Sequence, residues 1–255
     1  MIIDTHAHVV DVRFDSDREV VIRNAFSSGV KAIFEIACEV NYWDKALELS
    51  KRDDIFASFG IHPNNVSRVI HGDFDRLETL VKNEKCIAIG EIGLDYHYSS
   101  SMENANFQRE LFIKQVDIAN KYNKPVIIHC RDAYEDMIDI LEKYKTVSRG
   151  VVHCFSGNLK QAKIFVKAGF LLGIGGILTY NKSDSLKQVV FETDISNLLC
   201  ETDCPYLAPQ KYRGQRNEPS YIVETLKEIA KIKEMPFNET AQMTTQNALK
   251  LFDVC

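Results

Sequence analysis

The sequence contains no apolar run that approaches the roughly 18 residues of a membrane-spanning helix. Its first residues, Met-Ile-Ile-Asp, lack the basic segment and the sustained apolar segment of a secretory signal peptide. The seven cysteines are an odd number, and no two of them form a CxxC pair. This pattern is typical of reduced thiols rather than of a disulfide framework. We therefore expect a cytoplasmic protein that has no membrane partner.

Positive charge is also scarce. The 255 residues include 31 Lys and Arg against 36 Asp and Glu, which gives a formal net charge of −5. This balance argues against a broad basic surface for nucleic acid. A polyanionic substrate would have to be held by a local basic patch or through bound metal ions. The sequence indicates no obligate protein partner and leaves the oligomeric state open.

Glycine-rich phosphate loops are missing as well. No GxGxxG or Walker-type segment occurs, and Gly173-Ile174-Gly175-Gly176 lacks the required spacing. A doubly wound open sheet would need such a loop or a clear topological switch point. That fold is therefore the second choice.

What the sequence does contain is a regular alternation of strand and helix patterns. Its hydrophobic fraction of 45% is ordinary for a soluble globular protein. The strands are continuous apolar runs, as expected for parallel strands covered on both faces. Eight strand–helix pairs in about 250 residues fit a TIM barrel, so we predict one α/β domain, a (β/α)8 TIM barrel over residues 1–255. The predicted strands are 1–3, 30–38, 55–61, 86–90, 125–128, 150–152, 170–174 and 198–200.

Polar residues able to bind metal follow the predicted strands. Residues i and i+2 of an extended chain point to the same side, so His6 and His8 can face one point. The carboxyl ends of the strands meet at one face of a TIM barrel, where active sites lie. Imidazoles and carboxylates suit divalent ions, so the pattern predicts a metal site there. Its candidate ligands are His6 and His8 after the first strand, Glu91 after the fourth, His129 after the fifth, His153 after the sixth and Asp203 after the eighth.

Longer motifs around these positions resemble the TatD-type metal-dependent deoxyribonucleases of the amidohydrolase superfamily. The resemblance runs from residue 3 to the last helix. One departure is Asn64, because many members have a histidine after the His-Pro pair. The motifs are Ile3-Asp4-Thr5-His6-Ala7-His8, Gly60-Ile61-His62-Pro63, Gly90-Glu91-Ile92-Gly93-Leu94-Asp95-Tyr96, Pro125-Val126-Ile127-Ile128-His129-Cys130-Arg131, His153-Cys154-Phe155-Ser156-Gly157, Glu201-Thr202-Asp203-Cys204-Pro205-Tyr206-Leu207 and Arg213-Gly214-Gln215-Arg216-Asn217-Glu218-Pro219.

The resemblance implies a hydrolase with two divalent ions, which can be zinc, magnesium or manganese. By matching positions, one ion would be held by His6, His8 and Asp203, the other by His129 and His153, and Glu91 would bridge them. Asp203 would act with Glu91 in catalysis, as the general base for a metal-activated water. The implied substrate is a transiently bound DNA strand end, cleaved as an exonuclease does, with single strands preferred.

Further residues near the strand ends are candidates for contacts with substrate, and each has a structural alternative. His62 can donate to phosphate or serve the fold, and Arg131 can clamp phosphate or pair with a loop carboxylate. Tyr96 can stack on a base or pack its loop. Arg213 and Arg216 can hold phosphate or belong to a solvated loop. Glu201 is expected to orient a histidine that binds metal.

Three cysteines directly follow candidate ligands: Cys130, Cys154 and Cys204. Neighbouring side chains of a strand point to opposite sides, so these thiols should face away from the metal. We therefore expect no thiolate ligand.

Two other functions fit the same barrel. One is the hydrolysis of another substrate, such as a lactone, an amide or a phosphotriester. The other is a non-catalytic binding protein, whose signature would be a missing ligand; here none is missing.

Overall fold

Eight parallel strands lie in one sheet in the order in which they occur in the chain. The structure is a computed structural model and describes residues 1–98, 101–144 and 149–254. The segment after the last strand pairs with the first strand through the isolated Ala7–Cys204 bridge, so the sheet forms a nearly closed barrel. The TIM-barrel prediction is confirmed, and the sequential strand order excludes the doubly wound alternative. The strands are β1 (Ile2–Ala7), β2 (Val30–Ala37), β3 (Ile55–Phe59), β4 (Cys86–Asp95), β5 (Val126–Arg131), β6 (Gly150–Val152), β7 (Phe170–Ile174) and β8 (Leu198–Cys200).

Helices alternate with the strands and cover the outside of the barrel. Each helix buries an apolar stripe, as Val21, Ile22 and Ala25 do in the first one. No helix in the described part of the chain is long and apolar enough to cross a membrane. The helices are α1 (Arg18–Ser27), α2 (Trp43–Leu49), α3 (His71–Leu80), α4 (Met102–Lys121), α5 (Tyr134–Tyr144), α6 (Leu159–Lys167), α7 (Asp184–Glu192), α8 (Ile222–Ile232) and α9 (Phe237–Phe252).

The apolar core has two layers, because successive strand residues point to opposite faces of the sheet. In β2, Ile33 belongs to the layer between sheet and helices, whereas Phe34 belongs to the smaller cluster that includes residues of α9. The rings of Phe34 and Phe252 lie 5.1 Å apart. Helix α9 therefore covers one end of the barrel and leaves the opposite end for the polar strand ends.

The largest difference from the predicted boundaries lies in β4. The sequence ends this strand before Glu91, but the structure continues it to Asp95, with a register irregularity between Gly90 and Ile92. Strand β5 likewise continues past His129 to Arg131. Glu91 and His129 are therefore strand residues, and pairing of β4 with β5 fixes their positions.

Two buried glutamines of α4 hold the loops after β3 and β4. Gln115 accepts from the backbone N–H of Ile61 at 2.7 Å and donates to its carbonyl at 3.1 Å. Gln108 makes the same pair of bonds with Asp95, at 2.8 and 2.9 Å. Both amides satisfy backbone groups that would otherwise be buried without partners. These bonds set the positions of His62 and Asp95 beside the candidate ligands.

Candidate metal centre

The six candidate ligands from five strand ends come together at the carboxyl end of the barrel. The Nε2 atoms of His6 and His8 lie 3.3 Å apart, so both imidazoles face one point. Asp203 Oδ1 lies 3.8 Å from His6 Nε2 and 3.4 Å from His8 Nε2. Glu91 Oε2 lies 3.5 Å from His6 Nε2. These four side chains form the half of the cluster nearest β1.

Glu91 extends the cluster to the other two histidines. Its Oε1 atom lies 2.6 Å from His129 Nδ1 and 2.6 Å from His153 Nε2. Those two nitrogens are 3.2 Å apart. Glu91 is 3% exposed and lies between the two pairs of histidines. Its two oxygens therefore face different halves of the cluster, which is the placement that a bridging ligand requires.

Hydrogen bonds on the far side of two rings fix which nitrogen is free. His8 Nδ1 donates to the Ile36 carbonyl at 2.7 Å, which leaves the Nε2 lone pair facing the cluster. His129 is reversed, because its Nε2 lies 3.1 Å from Asp95 Oδ2 and its Nδ1 faces Glu91. A histidine that donates its outer N–H to a carbonyl or carboxylate is the usual form of a metal-binding histidine.

The pKa values of the side chains in the cluster are strongly shifted. Burial lowers the pKa of His6 to about 3, and repulsion from His153 adds to this effect. Burial opposes the charged forms of Glu91 and His129. For Glu91, attraction to His153 and His62 and the bonds from His129 and His153 outweigh burial, and for His129 the bonds to Asp95 and Glu91 do so. The pKa of Glu91 therefore lies well below its usual range, and that of His129 rises to about 9. The buried carboxylate of Glu91 needs positive charge beside it. In these contacts, protons on the histidines supply that charge, and a divalent ion can take the place of the protons.

The donor set fits divalent metal. Three groups of three have ligand atoms that all lie within 4.8 Å of one another: His6, His8 and Asp203; His6, Glu91 and His153; and His62, Asp95 and His129. Nδ1 of His6 and Nδ1 of His153 are buried without a hydrogen-bond partner in the described structure. Histidine nitrogens with carboxylate oxygens are ligands for zinc and similar ions. His153 therefore falls with His6 and Glu91, and His129 falls with His62 and Asp95, although the facing nitrogens of His129 and His153 lie 3.2 Å apart.

The loop that carries Asp203 is tied to β1. Asp4 accepts from the Thr202 N–H at 3.0 Å and from the Thr202 hydroxyl at 2.6 Å. Asn217 donates to the carbonyls of Thr202 and Tyr206, at 2.8 and 2.7 Å. Asp203 itself has a left-handed backbone with φ +57°. Backbone strain of this kind persists where the surroundings impose it, often at functional sites.

The loop after His8 has its own buried anchor. Glu35 Oε2 accepts from the backbone N–H groups of Val9 and Val10, at 2.7 and 3.3 Å. Burial raises the pKa of Glu35 to about 7. The carboxyl therefore holds the turn that presents His8.

Glu201 lies beside His153, where the sequence places it, but its main contact is different. Its Oε1 atom is 3.8 Å from His153 Nδ1, beyond hydrogen-bond distance, and it accepts from the backbone N–H of Cys154 at 2.5 Å. Burial raises the pKa of Glu201 to about 8. The side chain lies against Gly173, where a Cβ atom would be 2.3 Å from the carboxylate. A glycine at position 173 therefore leaves the space that the Glu201 side chain occupies.

Asp95 is the site residue that the sequence reasoning missed. One of its oxygens contacts His129 Nε2 at 3.1 Å and accepts from the Asn64 side-chain amide at 3.1 Å. The bond to His129 lowers the pKa of Asp95 to about 2, against the effect of burial. Asn64, the residue that departs from the family pattern, therefore supports the carboxylate behind His129. Asp95 lies four residues after Glu91, a spacing that points to the same side of a strand, but the predicted strand ends at residue 90 and so does not include either residue.

A cavity of about 660 Å³, called the metal cavity below, opens above the cluster. His62 lines it, and His62 Nδ1 accepts from the Asn64 N–H at 3.1 Å, so its proton lies on Nε2, 3.5 Å from Glu91 Oε1. Burial lowers the pKa of His62, which keeps the ring neutral. Arg131 also lines the cavity, with its guanidinium 5.3 Å from the Tyr98 ring centre. Neither side chain is a ligand in the cluster around His6; both face the space above it.

Two residues that the sequence analysis names as candidate substrate contacts have other partners in the structure. The Tyr96 hydroxyl donates to Asp136 at 2.7 Å, and its ring packs against the core outside the metal cavity. Arg216 pairs with Asp17 at 2.6 Å and with Glu218 at 3.0 Å. In both cases a distant carboxylate engages the polar group. Arg213 lies outside the metal cavity and lines a second, adjoining one.

The cysteines take no part in the candidate ligand groups of the described residues. Cys204 is fully buried and Cys130 nearly so. Cys130 and Cys154 nevertheless form part of the metal cavity wall, so strand alternation alone described them incompletely. The six described cysteines are free thiols, and Cys255 lies outside the described residues.

A closed parallel barrel with an imidazole–carboxylate cluster at its strand ends has the architecture of the metal-dependent hydrolases of the amidohydrolase superfamily. The family model described as TatD related DNase matches residues 3–253. The chain is 40% identical over 256 residues to the metal-dependent hydrolase YabD of Bacillus subtilis, with 100% of both chains covered. It is 33% identical to the metal-dependent hydrolase YcfH of Escherichia coli, with 99% of this chain and 96% of YcfH covered.

A solved structure agrees with these matches. The crystal structure of YjjV, a TatD homologue from Escherichia coli, has a TM-score of 0.94 and 30% sequence identity to this chain, and it covers 100% of this chain and 98% of YjjV. The chain therefore belongs to the TatD family of metal-dependent hydrolases.

Proposed function

We propose that this protein is a deoxyribonuclease that hydrolyses phosphodiester bonds from the end of a DNA strand, with single strands preferred. The observation that carries the proposal is the cluster of four histidines, Glu91 and Asp203 at the base of a cavity whose wall carries His62 and Arg131. Such a site combines ligands for divalent metal with two groups that can bind phosphate oxygens. The match to a family model described as TatD related DNase supports the substrate class.

The residues divide into ligands and substrate contacts. His6, His8 and Asp203 would hold one divalent ion, His129 and His153 a second, and Glu91 would bridge the two. Zinc, magnesium or manganese bound there would supply Lewis-acid activation of water and of the phosphate. The same ions would offset the negative charge of Glu91 and Asp203. The shared Glu91 therefore sets the spacing of the two binding positions.

Proton transfer falls to Asp203 in this proposal. Its pKa is lowered because the bonds and charges of the surrounding histidines, His8 first, outweigh the effect of burial. Asp203 is therefore ionised at neutral pH and can accept a proton from the attacking water. His62 donates from Nε2 to a phosphate oxygen, and Arg131 contributes charge beside it. A conformation fixed by Asp4, Thr202 and Asn217 holds the base in place.

The preference for a strand end follows from the shape and charge of the site. The ligand cluster lies at the base of the metal cavity, and Glu91 is 3% exposed. A flexible strand end can enter a recess that an intact duplex cannot. The net charge of −5 gives no broad surface for tracking along a duplex. DNA is therefore proposed as a transient partner that is bound locally.

The test compares a linear single strand with a circular strand of the same sequence. Metal-loaded protein should degrade the linear strand and leave the circle largely intact. Equal rates on both would remove the requirement for an end. Turnover of a lactone or a phosphotriester, without cleavage of either strand, would assign the site to another hydrolysis. Chelation of the metal in a matched reaction controls for a contaminating metal-independent nuclease.

A further inference from the structure

A second cavity of about 610 Å³ adjoins the metal cavity. The two share Ser156 and Ile177 in their walls, so they form one continuous depression on this face of the barrel. We name the second cavity the cationic groove, and its wall includes Tyr180, Lys182, Ser183, Gln210 and Arg213. A ligand longer than the metal cavity can therefore continue into it.

The charge of the cationic groove is opposite to that of the metal cavity. Its wall contains Lys182 and Arg213 and no Asp or Glu. Asp184 begins α7 nearby but does not line it. The metal cavity, by contrast, has five carboxylates in its wall, from Asp11, Glu39, Glu91, Asp95 and Asp203. The groove can therefore attract an anionic group without metal.

The cations of the groove are not used in ion pairs within the described residues. On the same segment, Lys211 pairs with Glu224 at 3.2 Å and Arg216 pairs with Asp17 at 2.6 Å. Arg213 lies between them and has no carboxylate partner among the described residues, and neither has Lys182. Two cations without an ion pair in one concave wall are well placed to bind an anion.

Arg213 also rests on a preformed support. Its guanidinium lies 4.3 Å from the ring centre of Tyr180, whose hydroxyl donates to the Ala208 carbonyl at 3.1 Å. The Gln210 N–H donates to the Thr179 hydroxyl at 2.7 Å, which joins the two loops that form the groove. A guanidinium held flat on an aromatic ring keeps its edge free for phosphate. The Arg213 side chain therefore loses little further conformational entropy when it binds a ligand.

We infer that the cationic groove binds backbone phosphates of the substrate strand. These are the phosphates that lie further along the strand from the nucleotide held in the metal cavity. This inference rests on the proposed nuclease function, because it requires a substrate with successive phosphates. Arg213 and Lys182 would each contact a phosphate, while the metal cavity holds the phosphodiester to be cleaved. Strands long enough to reach both cavities should therefore be better substrates than dinucleotides.

The test uses the double variant Arg213→Gln with Lys182→Gln in the metal-loaded protein. Its matched control is Arg23→Gln with Lys31→Gln, which removes the same charge at exposed positions of α1 and the start of β2. The readout is the ratio of kcat/KM for an octanucleotide to kcat/KM for a dinucleotide. In the groove variant this ratio should fall about tenfold, and the salt dependence on the octanucleotide should become shallower by about 1.4 in log–log slope for two lost contacts. The control should keep the ratio and slope of the unaltered protein.

The outcomes distinguish a failure of the groove inference from a failure of the proposed nuclease function. An unchanged ratio and slope in the groove variant would overturn the inference while the nuclease function stands. Absence of cleavage by the unaltered protein would overturn the nuclease function. The groove would then be judged by fluorescence anisotropy with a labelled phosphorothioate octanucleotide. Weaker binding by the groove variant than by the control would support it as an anionic-strand site, and equal binding would reject it.

Discussion

The metal cavity and the cationic groove share part of a wall, yet they handle negative charge in opposite ways. The cavity places Glu91, Asp95 and Asp203 around its histidines and needs added positive charge before an anionic phosphate can enter. The groove contains Lys182 and Arg213 without a carboxylate and is ready for an anion as it is. The cavity also buries its charges, whereas the cations of the groove are exposed. The proposed function and the proposed groove would thus place chemistry and strand binding in separate regions.

Under the proposed function, this division would let a protein with net charge −5 act on a polyanion. Buried charge interacts strongly at short range, whereas exposed cations act weakly and through a screening solvent. Changes in the cavity should therefore alter kcat or metal affinity by large factors on every substrate. Changes in the groove should alter the response to strand length and salt. Residues outside both regions should affect neither.

The largest effect is expected for Asp203→Asn. The amide keeps the shape of the side chain but cannot accept the proton, so kcat should fall by a factor of about 10² or more. The loss should be equal on an octanucleotide and a dinucleotide, because the change lies in the metal cavity alone. Steady-state kinetics at saturating metal, with the bound metal measured directly, provide the test. Turnover like that of the unaltered protein would remove Asp203 from the mechanism.

An intermediate effect is expected for Asp95→Asn. The neutral amide weakens the bond that orients His129, and loss of such an outer partner typically lowers metal affinity or activity about 10- to 100-fold. The midpoint of a metal titration should therefore move to higher concentration, with activity recovering near saturation. The groove double variant is the control, and its midpoint should stay in place. An unmoved midpoint for Asp95→Asn would contradict the assigned role.

The smallest effect is expected for Tyr96→Phe, which alters a residue outside both regions. The Asp136 carboxylate keeps its ion pair with Arg109, so the variant loses one hydrogen bond worth about 1 kcal/mol of unfolding free energy. Urea unfolding measures this loss, and kcat/KM on both strand lengths should change by less than about twofold. A selective loss on the octanucleotide would show that Tyr96 contacts the strand after all.

Much of this arrangement could be predicted from the sequence because the signals are local. Continuous apolar runs located all eight strands, and the histidine or acidic residues after five of them placed the candidate ligands at one end of the barrel. The i, i+2 relation of His6 and His8 depends only on the extended backbone of β1, and their facing nitrogens show it. These features need no knowledge of distant residues.

Two candidate substrate contacts have partners far away in the chain that the sequence does not indicate. Tyr96 is engaged by Asp136, 40 residues later, and Arg216 by Asp17, 199 residues earlier. The sequence gives no means of choosing such partners among 36 acidic residues. Asp95 was overlooked for another reason, because the predicted fourth strand ends at residue 90 whereas β4 continues to Asp95. Asn64 could be recognised as unusual, but its bond to Asp95 could not.

The closure between β1 and the segment after β8 has a consequence for how the site comes into being. Thr5 donates to the Cys200 carbonyl across 195 residues, and Asp4 holds Thr202 across 198. His6 is therefore synthesised early and Asp203 late in translation. The two residues meet only when the whole ring of strands is complete. Contacts of such separation form late and slowly in folding. Acquisition of metal by the group of His6, His8 and Asp203 would thus report that the last strand has docked against the first.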